Sequence, residues 1–561
     1  MRILLLASAF NGLTQRVWEE LRWREHDVVV ELYSDPEDVV AAARAAQPEL
    51  VLCPYLKERV PDQVWRTWPT VILHPGPVGD QGPSSLDYAI LNREPVWGVT
   101  ALQAVEELDS GPIWAHRVFP MPADPPRKSA LYRGPVTSAA VACALEVVEH
   151  AADPSFRPTP LSDFPRPVPG TCKRPLLKQS DRQFGWALDA ADIVHRIRAA
   201  DGFPGIRTFL AGQQVSVFDA RLGTGDGTPG EIIGRCRGHL LVAAGNGAVW
   251  IGQLKRVGGI KLPAATVLPV REVPDFPNGP HDISYRRKSL VGEVTISFYN
   301  GAAGVDQCRR LEDALRYAAK QDTRVLVLRS GPDVFCNGIH LGEIEAAPDP
   351  ATTAWDNIRA INGACRALIE IEHQLTIAAY TGSAAAGGVM LALGADVVVG
   401  RTGMMLNPYY DIGLYGSELH TLTMPQRVGA ELATTLLAAK LPISTDRAAH
   451  IGLIDMVGPG DPVEFDEWLQ RLARSYTEPA AWRFIDFRAP ATRPLRCYES
   501  HELAEMAHDL YADRSGFSTA RSAFVYKHRR GALGATLTVG DRTAEEAYDA
   551  TVARARTLIA P

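Results

Sequence analysis

Residues 70–90 read TVILHPGPVGDQGPSSLDYAI. An aliphatic, β-branched run at 70–73 stops at His74, and a turn rich in glycine and proline leads into a helical pattern. A strand that feeds a helix through such a turn belongs to an α/β fold, and open parallel sheets place ligands at the carboxyl ends of their strands. The alternation extends outward on the amino-terminal side, where apolar runs at 3–7, 28–32 and 50–52 are separated by helical patterns over about 14–23 and 39–46. The opening MRILLLASAF is too short for a membrane span and reads as a buried first strand.

On the carboxyl side the texture changes. Residues 154–170 carry six prolines and mark a connection. From 193 to 273, one helix precedes short strands at 214–220, 231–236, 240–243 and 249–251, separated by Gly-rich turns, which predicts a small β-barrel-like subdomain. A polar stretch at 275–288 is expected to link two different halves. Beyond it, strands are expected at 291–298, 324–328 and 375–379, helices near 308–319 and 355–371, and then mostly helix, the last over 545–559. The expected architecture is α/β multidomain, with units at 1–160, 161–274 and 289–470, a helical carboxyl-terminal region at 471–561, and 275–288 as linker.

Composition narrows the function. A chain of 561 residues suits roughly three or four domain-sized units. Lys+Arg 58 against Asp+Glu 65 gives a net charge of -7, the wrong sign for gripping a phosphate backbone, so no nucleic-acid partner is expected. No apolar run is long enough to imply a membrane partner. The eight cysteines are scattered without a Cys-x-x-Cys pair, so neither a metal site nor a disulfide framework is expected, and a reducing cytoplasm is the simplest location.

His74 at a strand end, with Asp109 in the turn Leu108-Asp109-Ser110-Gly111, pairs a proton donor with a carboxylate able to orient it. Alone, a histidine and a loop aspartate are as readily structural. In order and spacing, however, His74-Pro75, Gly98-Val99-Thr100 and Leu108-Asp109-Ser110-Gly111 resemble the folate-dependent formyltransferases. The resemblance covers about the first 270 residues, including VHRIRAADGFPGIRTFLAG, and implies a Rossmann-like folate-binding domain at 1–160 with a carboxyl-terminal subdomain at 161–274. It implies that His74 donates to a developing oxyanion and that Asp109 tunes His74 and relays protons. That family's Asn falls at Ile72, so one oxyanion donor is replaced by an apolar side chain.

Two glycine clusters stand out further on: Cys336-Asn337-Gly338-Ile339-His340-Leu341 after a strand, and Gly382-Ser383-Ala384-Ala385-Ala386-Gly387-Gly388-Val389 opening a helix. Glycine lets backbone N–H groups approach a ligand, and a helix amino terminus adds partial positive charge. Together with Arg427-Val428-Gly429 they resemble the crotonase (enoyl-CoA hydratase/isomerase) superfamily. The resemblance implies a crotonase fold over 289–470 and a CoA-thioester oxyanion hole at Ile339 and Gly387, flanked by Gly338 and Gly388. Asn337 and His340 are candidate substrate contacts, although polar residues on a glycine turn also cap backbone groups. The two glutamates of a hydratase fall at Met390 and Tyr409, so simple water addition lacks its acid–base pair.

HPGPVGDQGPSSLDYAI, SFYNGAAG, NGIHLGEIEA, LNPYYDIGLYGSELH and MPQRVG are similar to the HypX (HoxX) family of nickel-iron hydrogenase maturation proteins, nearly end to end. That resemblance implies transfer of formyl from 10-formyltetrahydrofolate to CoA and decarbonylation of formyl-CoA to CO, the carbonyl ligand of the hydrogenase iron. It implies tetrahydrofolate and CoA as cofactors, small-molecule substrates, and other hydrogenase maturation proteins as partners. Decarbonylation needs a proton acceptor near the thioester carbonyl, for which Tyr410, Glu418 and then Tyr415 are the candidates. The run 527–530 is a candidate for CoA phosphates or a solvated basic face. Two other readings stay open: a formyltransferase or formyl hydrolase with an inert crotonase-like domain, and a non-catalytic scaffold that binds folate and CoA.

Overall fold

The computed structural model describes residues 1–124, 126–166, 168–270, 272–484 and 491–527, and the chain divides into compact units at 1–280 and 281–561. In the first unit, β1 (Arg2–Ala7), β2 (Asp27–Leu32), β3 (Leu50–Cys53), β4 (Thr70–His74), β5 (Val96–Gln103) and β6 (Ile113–Pro120) form a sheet ordered β2-β1-β3-β4-β5-β6. β1 to β4 pair in parallel, whereas β5 runs antiparallel to both β4 and β6. Ile3, Leu4, Leu5 and Leu6 are at most 1% exposed, as expected of a strand covered on both faces. Asn11 caps the helix Gly12–Trp23 by accepting from Thr14 N–H, and Asp35 caps Pro36–Ala46 in the same way at Glu37 and Asp38.

The second sheet of this unit joins β7 (Ile206–Leu210), β8 (Gln213–Gly223), β9 (Ile232–Cys236), β10 (His239–Ala243) and β11 (Ala248–Arg256) in the order β7-β8-β11-β10-β9, with β12 (Lys261–Pro263) also on β11. Among the described residues β7 and β9 do not pair, so the expected β-barrel-like subdomain is an open antiparallel sheet. Closure is unnecessary because the helix Ala190–Ala200 lays Ile193, Val194 and Ile197 on the same core as Val217, Leu240 and Ile251.

The second unit begins with β13 (Ile283–Lys288), which pairs antiparallel with β14 (Val291–Ile296). Residues 283–288, expected as linker, are therefore an edge strand; its run of cations is a common way of blunting an exposed edge. The sheet continues in parallel through β15 (Val325–Ser330), β16 (Leu375–Tyr380), β18 (Val397–Arg401) and β21 (Met456–Gly458). A small sheet is made by β17 (Ala384–Ala385), β19 (Met405–Asn407) and β20 (Ile443–Ser444). Helices Val305–Ala319, Pro350–Ile369 and Leu495–Tyr511 belong to this unit. Of the basic run only Lys527 is among the described residues; His528 to Arg530 and the expected final helix at 545–559 lie outside them. No helix among the described residues is long and apolar enough to cross a membrane.

Candidate active sites

His74 ends β4 and is 5% exposed. Its Nε2 lies 3.0 Å from Asp80 Oδ2 and its Nδ1 lies 3.5 Å from Asp109 Oδ1, so the imidazole is held between two carboxylates. Asp109 has φ +55, in the left-handed region, and is fixed by accepting Gly82 N–H at Oδ2 (3.0 Å) and Gln81 Nε2 at its carbonyl (3.0 Å). Arg174 donates to the far oxygen of Asp80 at 3.3 Å. Burial by itself works against the imidazolium, but the Asp80 hydrogen bond and the charges of Asp109 and Asp80 outweigh it, and the proton affinity of His74 is raised. Gly76 makes room for the ring: a Cβ there would lie 2.6 Å from His74 Nε2. Ile72, two residues earlier on β4, joins the apolar cluster of Leu4, Val51 and Cys53 and offers no donor.

The second site is made where two glycine loops meet. Phe335 N–H donates to Ser383 O (2.9 Å) and Ala385 N–H to Cys336 O (3.0 Å), which zips the loops together. Gly338 has φ +80, and a Cβ on it would lie 3.3 Å from Gly387 N. At Gly388 a Cβ would collide with Cys336 O, so both positions require glycine. Gly387 opens the helix Gly387–Leu393, and neither its N–H nor that of Ile339 has an acceptor among the described residues. Two adjacent free donors in a buried setting suit a carbonyl oxygen that gains charge.

Glu418 lies against this pair, since a Cβ on Gly387 would collide with its carboxyl group. Tyr410 Oη is 2.6 Å from Glu418 Oε2 and 2.7 Å from Ser417 O. Burial, reinforced by the charge of Glu502 and opposed by hydrogen bonds from Tyr410 and Ser417, pushes the Glu418 carboxyl up to about 7. A carboxyl poised there can give or take a proton near neutrality. Glu418 and Leu419 have φ +61 and +59. Consecutive left-handed non-glycine residues cost on the order of 1–3 kcal/mol each, a strain that persists only where surrounding contacts hold it.

The other expected residues fall differently. The Tyr415 hydroxyl meets His501 Nε2 at 3.2 Å, so it pairs away from Glu418. Asn337 Nδ2 donates to Asn300 O (2.9 Å), and His340 Nδ1 accepts Glu343 N–H (3.0 Å) as the cap of the helix Leu341–Ala346. Both side chains serve backbone groups. Met390 is fully buried in the helix Gly387–Leu393 and Tyr409 is 8% exposed, and neither offers a carboxylate. Sequence reasoning missed Asp80 and Arg174 at the first site and Glu502 behind the second.

A buried histidine between carboxylates at a strand end, and two glycine loops that bring free N–H groups against a buried carboxyl, sit in a chain with formyltransferase-like and crotonase-like domains. Residues 176–270 match the formyl transferase carboxyl-terminal domain family and residues 306–528 the enoyl-CoA hydratase/isomerase family. The hydrogenase maturation factor HoxX of Bradyrhizobium diazoefficiens is 40% identical over 545 residues, spanning 94% of this chain and 95% of that protein. The chain therefore belongs to the HypX/HoxX family of hydrogenase maturation factors. The crystal structure of HypX from Aquifex aeolicus in complex with tetrahydrofolic acid superposes with a TM-score of 0.89 at 36% identity, covering 94% of this chain and 96% of that one. A methionyl-tRNA formyltransferase of Citrifermentans bemidjiense is 29% identical over 188 residues, covering 34% of this chain and 57% of that enzyme.

Proposed function

We propose that this maturation factor transfers formyl from 10-formyltetrahydrofolate to the sulfur of CoA and splits the resulting formyl-CoA into CO and CoA. The observation that carries the reading is the presence of two acid–base constellations suited to consecutive steps: His74 between Asp80 and Asp109, and Glu418 with Tyr410 against the Gly387 helix end. The folate named in the Aquifex structure supports the first half, and the enoyl-CoA hydratase/isomerase match supports a CoA thioester at the second.

At the first site, bound 10-formyltetrahydrofolate would supply the formyl group. There the CoA sulfur would add to the formyl carbon, and His74, kept protonated to higher pH than a free imidazole, sets positive charge beside the oxygen of the tetrahedral adduct. Asp109, its Oδ1 3.5 Å from Nδ1, takes the thiol proton as sulfur adds and returns it to the folate nitrogen as the C–N bond breaks with its electron pair going to nitrogen. Ile72 adds no donor beside His74 and keeps that side of β4 apolar.

At the second site, the N–H groups of Ile339 and Gly387 receive the thioester oxygen. Glu418 as carboxylate takes the formyl proton; the C–S bond breaks with its electron pair going to sulfur; CO leaves; and the proton passes from Glu418 to the thiolate. No water is consumed, which agrees with Met390 and Tyr409 standing where a hydratase has its glutamates. Tyr410, donating to Glu418 Oε2, steadies the carboxylate between these transfers.

Incubating the full chain with 13C-formyl tetrahydrofolate, with and without CoA, and following formyl-CoA by mass spectrometry tests the order of steps. Glu418→Gln should accumulate labelled formyl-CoA, whereas His74→Asn should leave label on folate. Labelled formate in place of formyl-CoA, independent of CoA, would contradict the reading and favour a hydrolase.

A further inference from the structure

We propose that Glu502 is a positioning residue for the thioester-cleaving site: from the helix Leu495–Tyr511 it grips the backbone just after Glu418 and sets a second buried carboxylate behind the first. The inference rests on the role given to Glu418 above. Glu502 is wholly buried and is spent on one short segment. Its Oε2 accepts Leu419 N–H at 2.9 Å, and its Oε1 accepts Thr421 N–H at 2.9 Å and Thr421 Oγ1 at 2.6 Å.

The grip is part of a stripe. Four residues on, Met506 Sδ accepts Gly416 N–H at 3.2 Å, and three further, Asp509 Oδ2 accepts Tyr415 N–H at 2.6 Å. Spacings of four and three put Glu502, Met506 and Asp509 on one helix face. Each of the three is at most 1% exposed, and each takes a backbone N–H from residues 415–421. From the other side, Asn362 Oδ1 on the helix Pro350–Ile369 accepts Glu418 N–H (2.9 Å) and Ser417 Oγ (3.0 Å). The two left-handed residues Glu418 and Leu419 thus have their N–H groups captured by acceptors on two different helices, which is the support such a strained pair requires.

The stripe does more than hold shape, because the charge of its first member, when ionised, raises Glu418. The groups facing Glu418 are Tyr410 on its own loop, Cys336 on the oxyanion loop, Cys308 on Val305–Ala319, Cys365 on Pro350–Ile369, and Glu502. Glu502 is the one carboxyl in this set, negative when ionised. Around Glu502 itself stand Thr421, His501 and His420, whose Nδ1 is 3.4 Å from Oε1. Burial drives His420 down to about 4, so it stays neutral and does not screen Glu502. Burial likewise pushes Glu502 up to about 7, against the hydrogen bonds from Thr421 and Leu419. On this proposal the two carboxyls take up their protons as a pair, in two steps.

The test is a pH titration of the ligand-free full chain by 13C-carboxyl NMR of labelled glutamate, with the Glu418 signal assigned by its loss in E418Q. Wild type should show a two-step titration at Glu418. E502Q, which keeps an acceptor for Thr421 but has no charge, should show one step, shifted about one pH unit down from the upper wild-type step, a tenfold change in proton affinity. D509N, altered on the same stripe but not against Glu418, should leave the titration at its wild-type midpoints. T421V removes one hydrogen bond that keeps Glu502 ionised and should move Glu418 the same way by a smaller amount. An unmoved Glu418 titration in folded E502Q, or in T421V where E502Q does not fold, overturns the inference. No substrate is present, so this failure is distinct from that of the proposed reaction, which would show as wild-type protein leaving formyl-CoA intact.

Discussion

Asp80→Asn removes a charge while keeping the shape of the group that holds His74 Nε2 at 3.0 Å. Burial disfavours the imidazolium, and the Asp80 hydrogen bond together with the charges of Asp109 and Asp80 reverses that. A hydrogen bond to a charged group contributes about 1.5–3 kcal/mol. At about 1.4 kcal/mol per pH unit, its loss should lower the His74 midpoint by about one to two units. Asn still offers an oxygen to Arg174, 3.3 Å away in the native pair, so the loop should keep its course. The assay is NMR titration of the His74 ring, assigned through His74→Asn. Wild type should titrate above the ordinary 6.5, and the variant below wild type. Stability has a matching sign. A group whose proton affinity is raised by folding contributes fully below its unfolded pKa and loses that contribution as pH rises through its folded one. Urea unfolding should therefore place the variant about 1–3 kcal/mol below wild type at about pH 5, the gap closing above the wild-type His74 midpoint. An unmoved midpoint, or a gap that widens with pH, refutes the reasoning.

Three further outcomes are expected. His74→Ala should slow release of formyl from 10-formyltetrahydrofolate by about 10²–10⁴-fold, the usual range for a positioned acid or base, while leaving cleavage of added formyl-CoA near wild type, measured by stopped-flow and gas trapping. Tyr410→Phe removes a hydrogen bond that opposes the rise of Glu418, so its midpoint should move above about 7 and formyl-CoA should accumulate, read by carboxyl NMR and mass spectrometry. Gly387→Ala should force the Glu418 carboxyl away from the Gly387 helix end and cost about 1–3 kcal/mol in thermal unfolding, with the proposed thioester cleavage lost well below the melting temperature.

What was legible in the sequence were features that leave a local mark. His74 follows a β-branched run, Gly387 and Gly388 sit where any side chain would collide and Gly338 holds a left-handed φ of +80, so the two motifs announce themselves as strand end and paired loops. Asp80 was in plain view six residues after His74, but an aspartate among glycines reads as a turn former, and only the folded loop brings it to Nε2. Glu502 left no mark at all: it lies 83 residues beyond Leu419 on a helix with no motif, and its partners are two backbone N–H groups and one threonine hydroxyl. The strand β7 and the openness of its sheet depend on pairing between distant segments, which periodicity does not encode. In β13 the cations of an edge strand imitate a linker. Tyr415 illustrates the opposite error, where proximity in sequence to Tyr410 and Glu418 suggested a shared role but its hydroxyl meets His501.

The most direct measurement supplies the full chain with 13C-formyl tetrahydrofolate and CoA in a sealed vessel and traps gas on reduced haemoglobin. The account predicts 13CO in proportion to tetrahydrofolate released, dependent on CoA, and lost in both His74→Asn and Glu418→Gln. Release of tetrahydrofolate with the label appearing as formate and no CO bound to haemoglobin would contradict it.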